Sequence, residues 1–152
     1  FFSNKIELGK TVIDDIMDEN IRKYRSIMNE GISFRQKIKK QLRLKFDGTR
    51  EISKELVNDI YSNKKLGLHH YWQKRASNFT AEVMQDYQLA QQKGEIRKDM
   101  KIEFMFYFTN KMKELLSDAK LIDMYDNMQD LIMEIANLFF YGIFPREDET
   151  SE

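Results

Sequence analysis

A run of five apolar or aromatic residues, from Phe104 to Phe108, restricts the fold of this chain more than any other stretch. The surrounding segment, 101–117, lacks the strict alternation of apolar and polar residues that a half-buried strand needs. In a helix, Met105 and Met112 fall on one side, whereas Phe104 and Phe108 fall on another. A helix that packs against a single core needs only one apolar stripe. The stretch therefore predicts a helix that packs on its own core with one face and on a second surface with the other.

The composition favours a single all-helical domain. The 152 residues suffice to bury a core without disulfides, and the sequence contains no cysteine. One proline and six glycines stand against nine methionines and eleven phenylalanines, a balance typical of helices around an adaptable interior. Lys+Arg and Asp+Glu number 25 each, so no net charge draws the chain toward nucleic acid or a membrane. The sequence has no apolar run of about 18 residues and no signal-peptide layout, and we expect a cytoplasmic protein without a membrane partner.

Turn and capping signals divide the chain into about six helices. Asn4 with Glu7, and Ser33 with Gln36, have the spacing of capping boxes and predict two helix starts. Gly31 and Gly94 predict helix ends. The segments expected to be helical are 4–30, 33–46, 51–62, 68–93, 101–117 and 121–144.

The last two predicted helices carry more apolar surface than one subunit can bury. The segment 121–144 is apolar over more than half its circumference, as is 101–117. A monomer would expose a contiguous apolar patch beyond the few hundred Å² that soluble proteins usually tolerate. We therefore expect a homodimer that pairs two helices from each subunit in a four-helix bundle, through Met105, Met112, Met128, Leu131, Ile132, Ile135 and Phe139.

Large apolar side chains on several helices indicate either a ligand cavity or a solid core. Both readings remain open on residue types alone. If a cavity forms, its walls carry few polar groups and fit a small, largely apolar molecule. The residues expected to line it are Tyr24, Met28, Ile38, Leu42, His69, Trp72, Phe79, Phe104 and Phe108.

Catalytic and metal-binding motifs are missing from the sequence. His69 and His70 are its only histidines, and as neighbours on a helix they point about 100° apart. No zinc motif, phosphate-binding glycine loop or nucleophile elbow is present. We therefore expect no enzymatic activity, no cofactor and no metal. The functional alternative for the histidines is one imidazole that polarises a ligand beside Trp72.

The second predicted helix is conspicuously basic. Its cations lie on the face opposite the apolar stripe formed by Phe34, Ile38, Leu42 and Phe46, and acidic residues elsewhere balance them. A solvated face is therefore favoured over a nucleic-acid contact. The cations are Arg35, Lys37, Lys39, Lys40, Arg43 and Lys45.

Two short motifs resemble those of tetracycline-repressor (TetR) family transcription regulators. Phe2, Lys5 and Leu8 fit the family's Tyr-x-Phe-x-x-Lys-x-x-Leu stretch, which spans the end of the DNA-recognition helix and the start of the next helix. The segment Lys93-Gly94-Glu95-Ile96-Arg97-Lys98-Asp99 is similar to the family's Gly-Glu-Leu-Arg-x-Asp turn before the dimerisation helices. With the matching helix order, the resemblance covers nearly the whole chain.

The resemblance implies a TetR-like C-terminal domain whose helix-turn-helix is missing. Residues 1–4 would be a remnant of the DNA-binding head, residues 5–144 the effector-binding and dimerisation domain, and residues 145–152 a frayed acidic tail. Lys5 occupies the position of the family lysine that contacts DNA phosphate. The expected function is sensing of a small apolar molecule by a regulator, most simply a repressor, that reaches its operator only through that head. The alternative is a helical protein–protein interaction module without a small-molecule ligand.

Overall fold

The computed structural model describes residues 2–50 and 52–145, with side chains from Asn4 onward. Over these residues the chain is all-helical, which confirms the predicted class. A 3₁₀ turn, Glu114–Ser117, separates the fifth and sixth α-helices. The α-helices are α1 (Phe2–Met28), α2 (Phe34–Thr49), α3 (Lys54–Tyr61), α4 (Leu68–Gln92), α5 (Ile102–Lys113), α6 (Ala119–Ile122) and α7 (Met128–Ile143). Apart from Pro145, the expected acidic tail lies outside the described residues.

The predicted helix boundaries are correct at some ends and wrong at others. Ser33 caps α2 in a complete capping box with Gln36, as expected. Asn4 does not begin a helix, because α1 already includes Phe2. The last predicted helix is divided, with α6 ending at Ile122 and α7 beginning after Asn127, whose side chain accepts a hydrogen bond from the backbone of Asp130.

α1 and α4 run parallel and are the longest packed pair, with 27 and 25 residues. The direction follows from three side-chain pairs that keep a constant sequence separation of 57 residues. They are Asp14 with Tyr71 at 2.9 Å, Asp18 with Arg75 at 2.7 Å and Arg25 with Glu82 at 2.9 Å. Close approach at one end uses Gly9, where an added Cβ would lie 2.8 Å from a Leu68 methyl carbon.

α2 and α7 form a second packed pair and run antiparallel. Arg35, in the first turn of α2, stacks its guanidinium 4.1 Å from the ring centre of Phe144, just after α7. At the other end, the Gln129 side-chain amide donates to the Phe46 carbonyl. The main core lies inside this pair, where Ile38, Met105 and Ile143 are almost fully buried.

The turn between α4 and α5 ties four helices together. Gly94 adopts a positive φ of 80°, and Glu95 N–H donates to Ala90 O while Gly94 N–H donates to Gln91 O. This is the Schellman pattern that ends a helix at a glycine. The Glu95 carboxylate then accepts from Phe34 N–H at 2.6 Å, and Arg97 N–H donates to Ile143 O at 3.0 Å. The turn thereby fixes the ends of α4, α2 and α7 around the start of α5.

Candidate functional site: grooves beside a basic helix and an exposed aromatic face

The residues predicted to line one ligand cavity fall into separate places. Met28, Ile38 and Leu42 belong to or pack against the main core. Ile38 is fully buried, and Leu42 is 8% exposed. These three side chains therefore act as core packing in the subunit.

A second part of the predicted set lies along the α1–α4 pair. Tyr24 and Phe79 meet edge to face with ring centres 5.1 Å apart. The Tyr24 hydroxyl donates to Asp86 at 2.8 Å. Burial, reinforced by this carboxylate, raises the pKa of Tyr24 far above its usual range. Trp72 packs against a separate small cluster with Ile13, near the N-terminal end of α4.

His69 faces a different neighbour. Its ring lies 5.2 Å from that of Tyr61, and burial raises the Tyr61 pKa. The Nδ1 atom of His69 is buried without a hydrogen-bond partner among the described residues. Tyr61 belongs to a third cluster around Val57 and Leu116. The structure therefore does not bring His69 together with Tyr24 or with the main-core residues.

The two apolar faces of α5 point the opposite way from the prediction. Met105 is fully buried in the subunit's own core, whereas Phe104 is 53% and Phe108 41% exposed. The two phenylalanines stack with ring centres 5.9 Å apart, and Tyr107 beside them is 65% exposed. We call Phe104, Tyr107 and Phe108 the aromatic face. The expectation that α5 has two apolar faces is met, but the face assigned to the ligand is the outer one.

Some of the predicted dimer residues are buried in the subunit core, and the others are half-buried. Met105, Met128 and Leu131 are each at most 1% exposed inside a single subunit. They cannot face a second subunit while this packing holds. Met112, Ile132, Ile135 and Phe139 are half-buried. These four side chains keep surface that a second subunit could cover.

A groove of about 480 Å³ runs between α2 and α7. One wall is a row of side chains at helical spacing, formed by Lys39, Arg43 and Phe46 of α2 and by Arg50, which directly follows α2. The other wall is the α7 row Met133, Asn137 and Tyr141. Leu42 and Asp47 complete the lining. We call this depression the α2–α7 groove.

A second groove, of about 500 Å³, lies between α1 and α2 and shares Lys39 and Arg43 with the first. We call it the α1–α2 groove. Its other cations are largely neutralised. Glu19 holds Arg22 at 2.8 Å and Lys23 at 3.0 Å, and these hydrogen bonds lower the pKa of Glu19 to about 2. Lys40 pairs with Glu30.

Two further lysines are exposed and have no carboxylate partner among the described residues. Lys45 follows Ile38 by seven residues, and Lys113 follows Phe106 by seven, so each continues an inward row of its helix. Both side chains keep access to solvent. Desolvation lowers the pKa of both amines, and the charge of Lys113 lowers that of Lys45 further.

Lys5, predicted to contact DNA phosphate, lies on the exposed side of α1. Its amine is 3.6 Å from the Asp59 carboxylate on α3 and stays 57% exposed. The pair joins the first turns of α1 to α3. Such an exposed ion pair leaves the lysine free to exchange partners at little cost.

Sequence reasoning missed the α2–α7 groove because it treated the basic residues of α2 as one solvated face. The signal was present in the spacing. Lys39, Arg43 and Arg50 recur beside Phe46, so cations and an aromatic ring share one strip of the helix. What the sequence lacked was the position of α7, which converts that strip into a groove wall.

Comparisons with protein-family models, curated proteins and solved structures find no match to this chain. In the described part of the chain, no helix has both the length and the apolar character needed to cross a bilayer. Among the same residues, no three His, Cys, Asp or Glu side chains come together as a metal-binding group.

Proposed function

We propose that this chain is the ligand-binding and dimerisation domain of a TetR-type DNA-binding transcription regulator. The observation that carries the proposal is the division of α5 into two opposite apolar faces, with Met105 inside the core and Phe104 outside. A large aromatic surface opposite a core face is what a helix at a subunit interface requires. The motifs at Phe2–Leu8 and at Lys93–Asp99 supply the resemblance to the family.

α1 supplies a mechanical connection that suits such a regulator. The helix has 27 residues, which corresponds to about 40 Å. Lys5 lies near its N-terminal end, and Tyr24 and Met28 lie near its C-terminal end beside α4 and the main core. A ligand that prefers one tilt of α1 would therefore move the end that leads to the DNA-binding head. It can shift that equilibrium only by its differential affinity, typically about 1–3 kcal/mol.

Oligomeric state tests the dimer half of the proposal. Light scattering coupled to size exclusion should give twice the 18.3 kDa chain mass at micromolar concentration. Phe104→Glu should shift the protein to the monomer, because a charge placed in an apolar interface loses its hydration. The matched control is Leu89→Glu, at an exposed leucine of α4, which should leave the dimer intact. A native monomer, or equal effects of the two variants, would contradict the proposal.

A thermal-shift screen with small, largely apolar metabolites tests the sensing half. A ligand at 100 times its dissociation constant stabilises the folded state by about 2.7 kcal/mol. Tyr24→Phe and Phe79→Ala should reduce the response to such a ligand more than Phe108→Ala, because the first two residues lie where α1 meets α4. A broad library without any stabilising compound would argue against a sensor.

The second candidate function is a helical protein–protein interaction module, and the same aromatic face favours it. Three exposed aromatic residues on one helix would also fit a groove or helix of another protein. The two candidates differ in what covers the face. A monomer that is unresponsive to ligands would favour the module, whereas a dimer that Phe104→Glu dissociates favours the regulator.

A further inference from the structure

We propose that the α2–α7 groove is a binding site for a small amphipathic anion, of the class of aryl or alkyl carboxylates. The inference concerns the chemistry of this groove and does not rest on the proposed regulator function. It starts from three cations that have no acidic partner among the described residues, 2–50 and 52–145.

Charge is the first argument. Lys39, Arg43 and Arg50 form no salt bridge with any described residue, whereas Arg22, Lys23 and Lys40 nearby are each paired. One carboxylate, Asp47, lines the same groove. Among the described residues the cations therefore exceed the acidic groups of the groove, and they would gain charge-assisted hydrogen bonds from an anion.

The second argument is the apolar lining of the groove. It favours a small ligand with an apolar body over a polyanion. Phe46 lies between Arg43 and Arg50 in the α2 row, and Met133 and Tyr141 face it from α7. Phe46 is 41% and Tyr141 59% exposed. These side chains would cover the body of a ligand whose acidic group reaches the cations.

Size and position are the third argument. A volume of about 480 Å³ lies within the range of about 300–1,000 Å³ found for small-molecule sites. The groove is held at both ends by contacts between α2 and α7, the Arg35 guanidinium on Phe144 and the Gln129 amide on the Phe46 carbonyl. The backbones of both walls are therefore held in place by packed helices.

Arginine recognises a carboxylate with two parallel hydrogen bonds, which a lysine amine cannot reproduce. Arg43 and Arg50 are separated by seven residues, or about 10 Å along the helix axis. A ligand with two acidic groups at that separation could bind both arginines. A ligand with one acidic group could bind one arginine and pack its apolar body on Phe46. The shared requirement is an anion joined to an apolar body.

The test uses naphthalene-2-carboxylate and, as its uncharged counterpart, naphthalene-2-carboxamide, in calorimetry on the full chain. The carboxylate should bind at least about tenfold more tightly than the amide, because charge-assisted hydrogen bonds are lost in the amide. Arg50→Gln should weaken carboxylate binding by about tenfold, and Tyr141→Ala should weaken both probes. Circular dichroism checks that each variant remains folded.

Arg22→Gln is the matched control, because Arg22 lines the α1–α2 groove and not the α2–α7 groove. It should leave carboxylate binding unchanged. Equal weakening by Arg22→Gln and Arg50→Gln would overturn the assignment to this groove, and no heat of binding at millimolar carboxylate would overturn the site altogether. Tighter, Arg50-dependent binding of a short oligothymidylate would show a polyanion surface instead.

Discussion

At the scale of the residue, the hydrogen bond from Tyr24 to Asp86 joins two half-buried side chains of α1 and α4 at 2.8 Å. Burial and this carboxylate raise the pKa of Tyr24 in the folded state above its ordinary value of 10.0. A group with a raised folded pKa contributes stability that is present below its unfolded pKa and is lost as the pH rises. The folded protein should therefore lose stability above about pH 10.

Tyr24→Phe should cost about 0.5–1.5 kcal/mol of unfolding free energy at neutral pH, because the half-buried Asp86 loses its donor. The variant should also lose less stability than the native chain between neutral pH and pH values above about 10. Urea unfolding at both pH values measures the two effects. Tyr141→Phe, at an exposed position, is the control and should match the native chain. Identical pH profiles of native and Tyr24→Phe proteins would contradict this account.

Lys45 is an exposed lysine that continues the apolar row of α2. It lies in the inward row of α2, desolvation and Lys113 lower its pKa, and no described carboxylate pairs with it. A lysine with a depressed folded pKa binds its proton more weakly than in the unfolded chain. Stability should therefore rise with pH from the lowered pKa up to the ordinary value of 10.5.

Lys45→Met should raise the melting temperature at neutral pH only slightly, by no more than about 2 °C, because the exposed amine is only partly desolvated and the methionine keeps the apolar stem. Lys113→Met should act in the same direction, and the double variant should gain less than both single changes together, since their repulsion is removed only once. Differential scanning fluorimetry measures the melting temperatures of the native chain and of the variants. Lys98→Met, at an exposed site, serves as control. A lower melting temperature for Lys45→Met would show that the amine has a stabilising partner.

At the scale of the element, the two faces of α5 differ in burial and should therefore differ in their contribution to stability. Met105 is fully buried, so Met105→Ala should cost about 2–5 kcal/mol of unfolding free energy through lost burial and a residual cavity. Phe104→Ala removes an exposed ring and should cost the isolated subunit no more than about 0.5 kcal/mol. Chemical denaturation at low protein concentration compares the two. A larger cost for Phe104→Ala would mean that the faces of α5 are assigned the wrong way round.

Sequence reasoning identified most elements because their signals are local. The spacing of Ser33 and Gln36 predicts the capping box that forms at α2, and Gly94 predicts the positive-φ turn after α4. Local signals failed at Asn4, where the capping pattern lies inside a continuing helix. The capping-box spacing shows that a helix could begin at this position. It does not show that the residues before it are non-helical.

Local sequence signals could not predict which face of α5 packs against the core. The periodicity of 101–117 separates Met105 from Phe104 by angle, but both are large and apolar, so hydrophobicity alone does not say which one faces the core. The answer depends on what surrounds α5. The turn at Glu95–Arg97 fixes α5 against α2 and α7, and Met105 then falls inside. The same dependence scattered the predicted cavity residues, since Tyr24, His69 and Phe104 each lie on a helix with different neighbours.

At the scale of the whole molecule, two packed pairs organise the domain. The parallel pair α1–α4 holds a row of ion pairs and hydrogen bonds, and the antiparallel pair α2–α7 holds the groove lined by Lys39, Arg43 and Arg50. The 94–97 turn joins the pairs, because Glu95 reaches Phe34 and Arg97 reaches Ile143. A change of tilt in α1 would therefore reach α2 through the short connection in which the Lys37 amine donates to the Met28 carbonyl.

These residues alone should not recognise a DNA sequence. Reading a sequence requires side chains against base edges, whereas Lys39, Arg43 and Arg50 line a groove beside apolar residues and Lys5 pairs with Asp59. With equal numbers of acidic and basic residues, 25 of each, the chain offers phosphate only scattered contacts. Each contact adds about one unit or less to the salt dependence of binding. Gel-shift titrations over a range of salt concentrations should therefore give weak association that disappears as salt increases, and Lys5→Gln should lower the salt slope slightly. Sequence-selective binding that survives high salt would mean that residues 1–152 already contain a recognition surface.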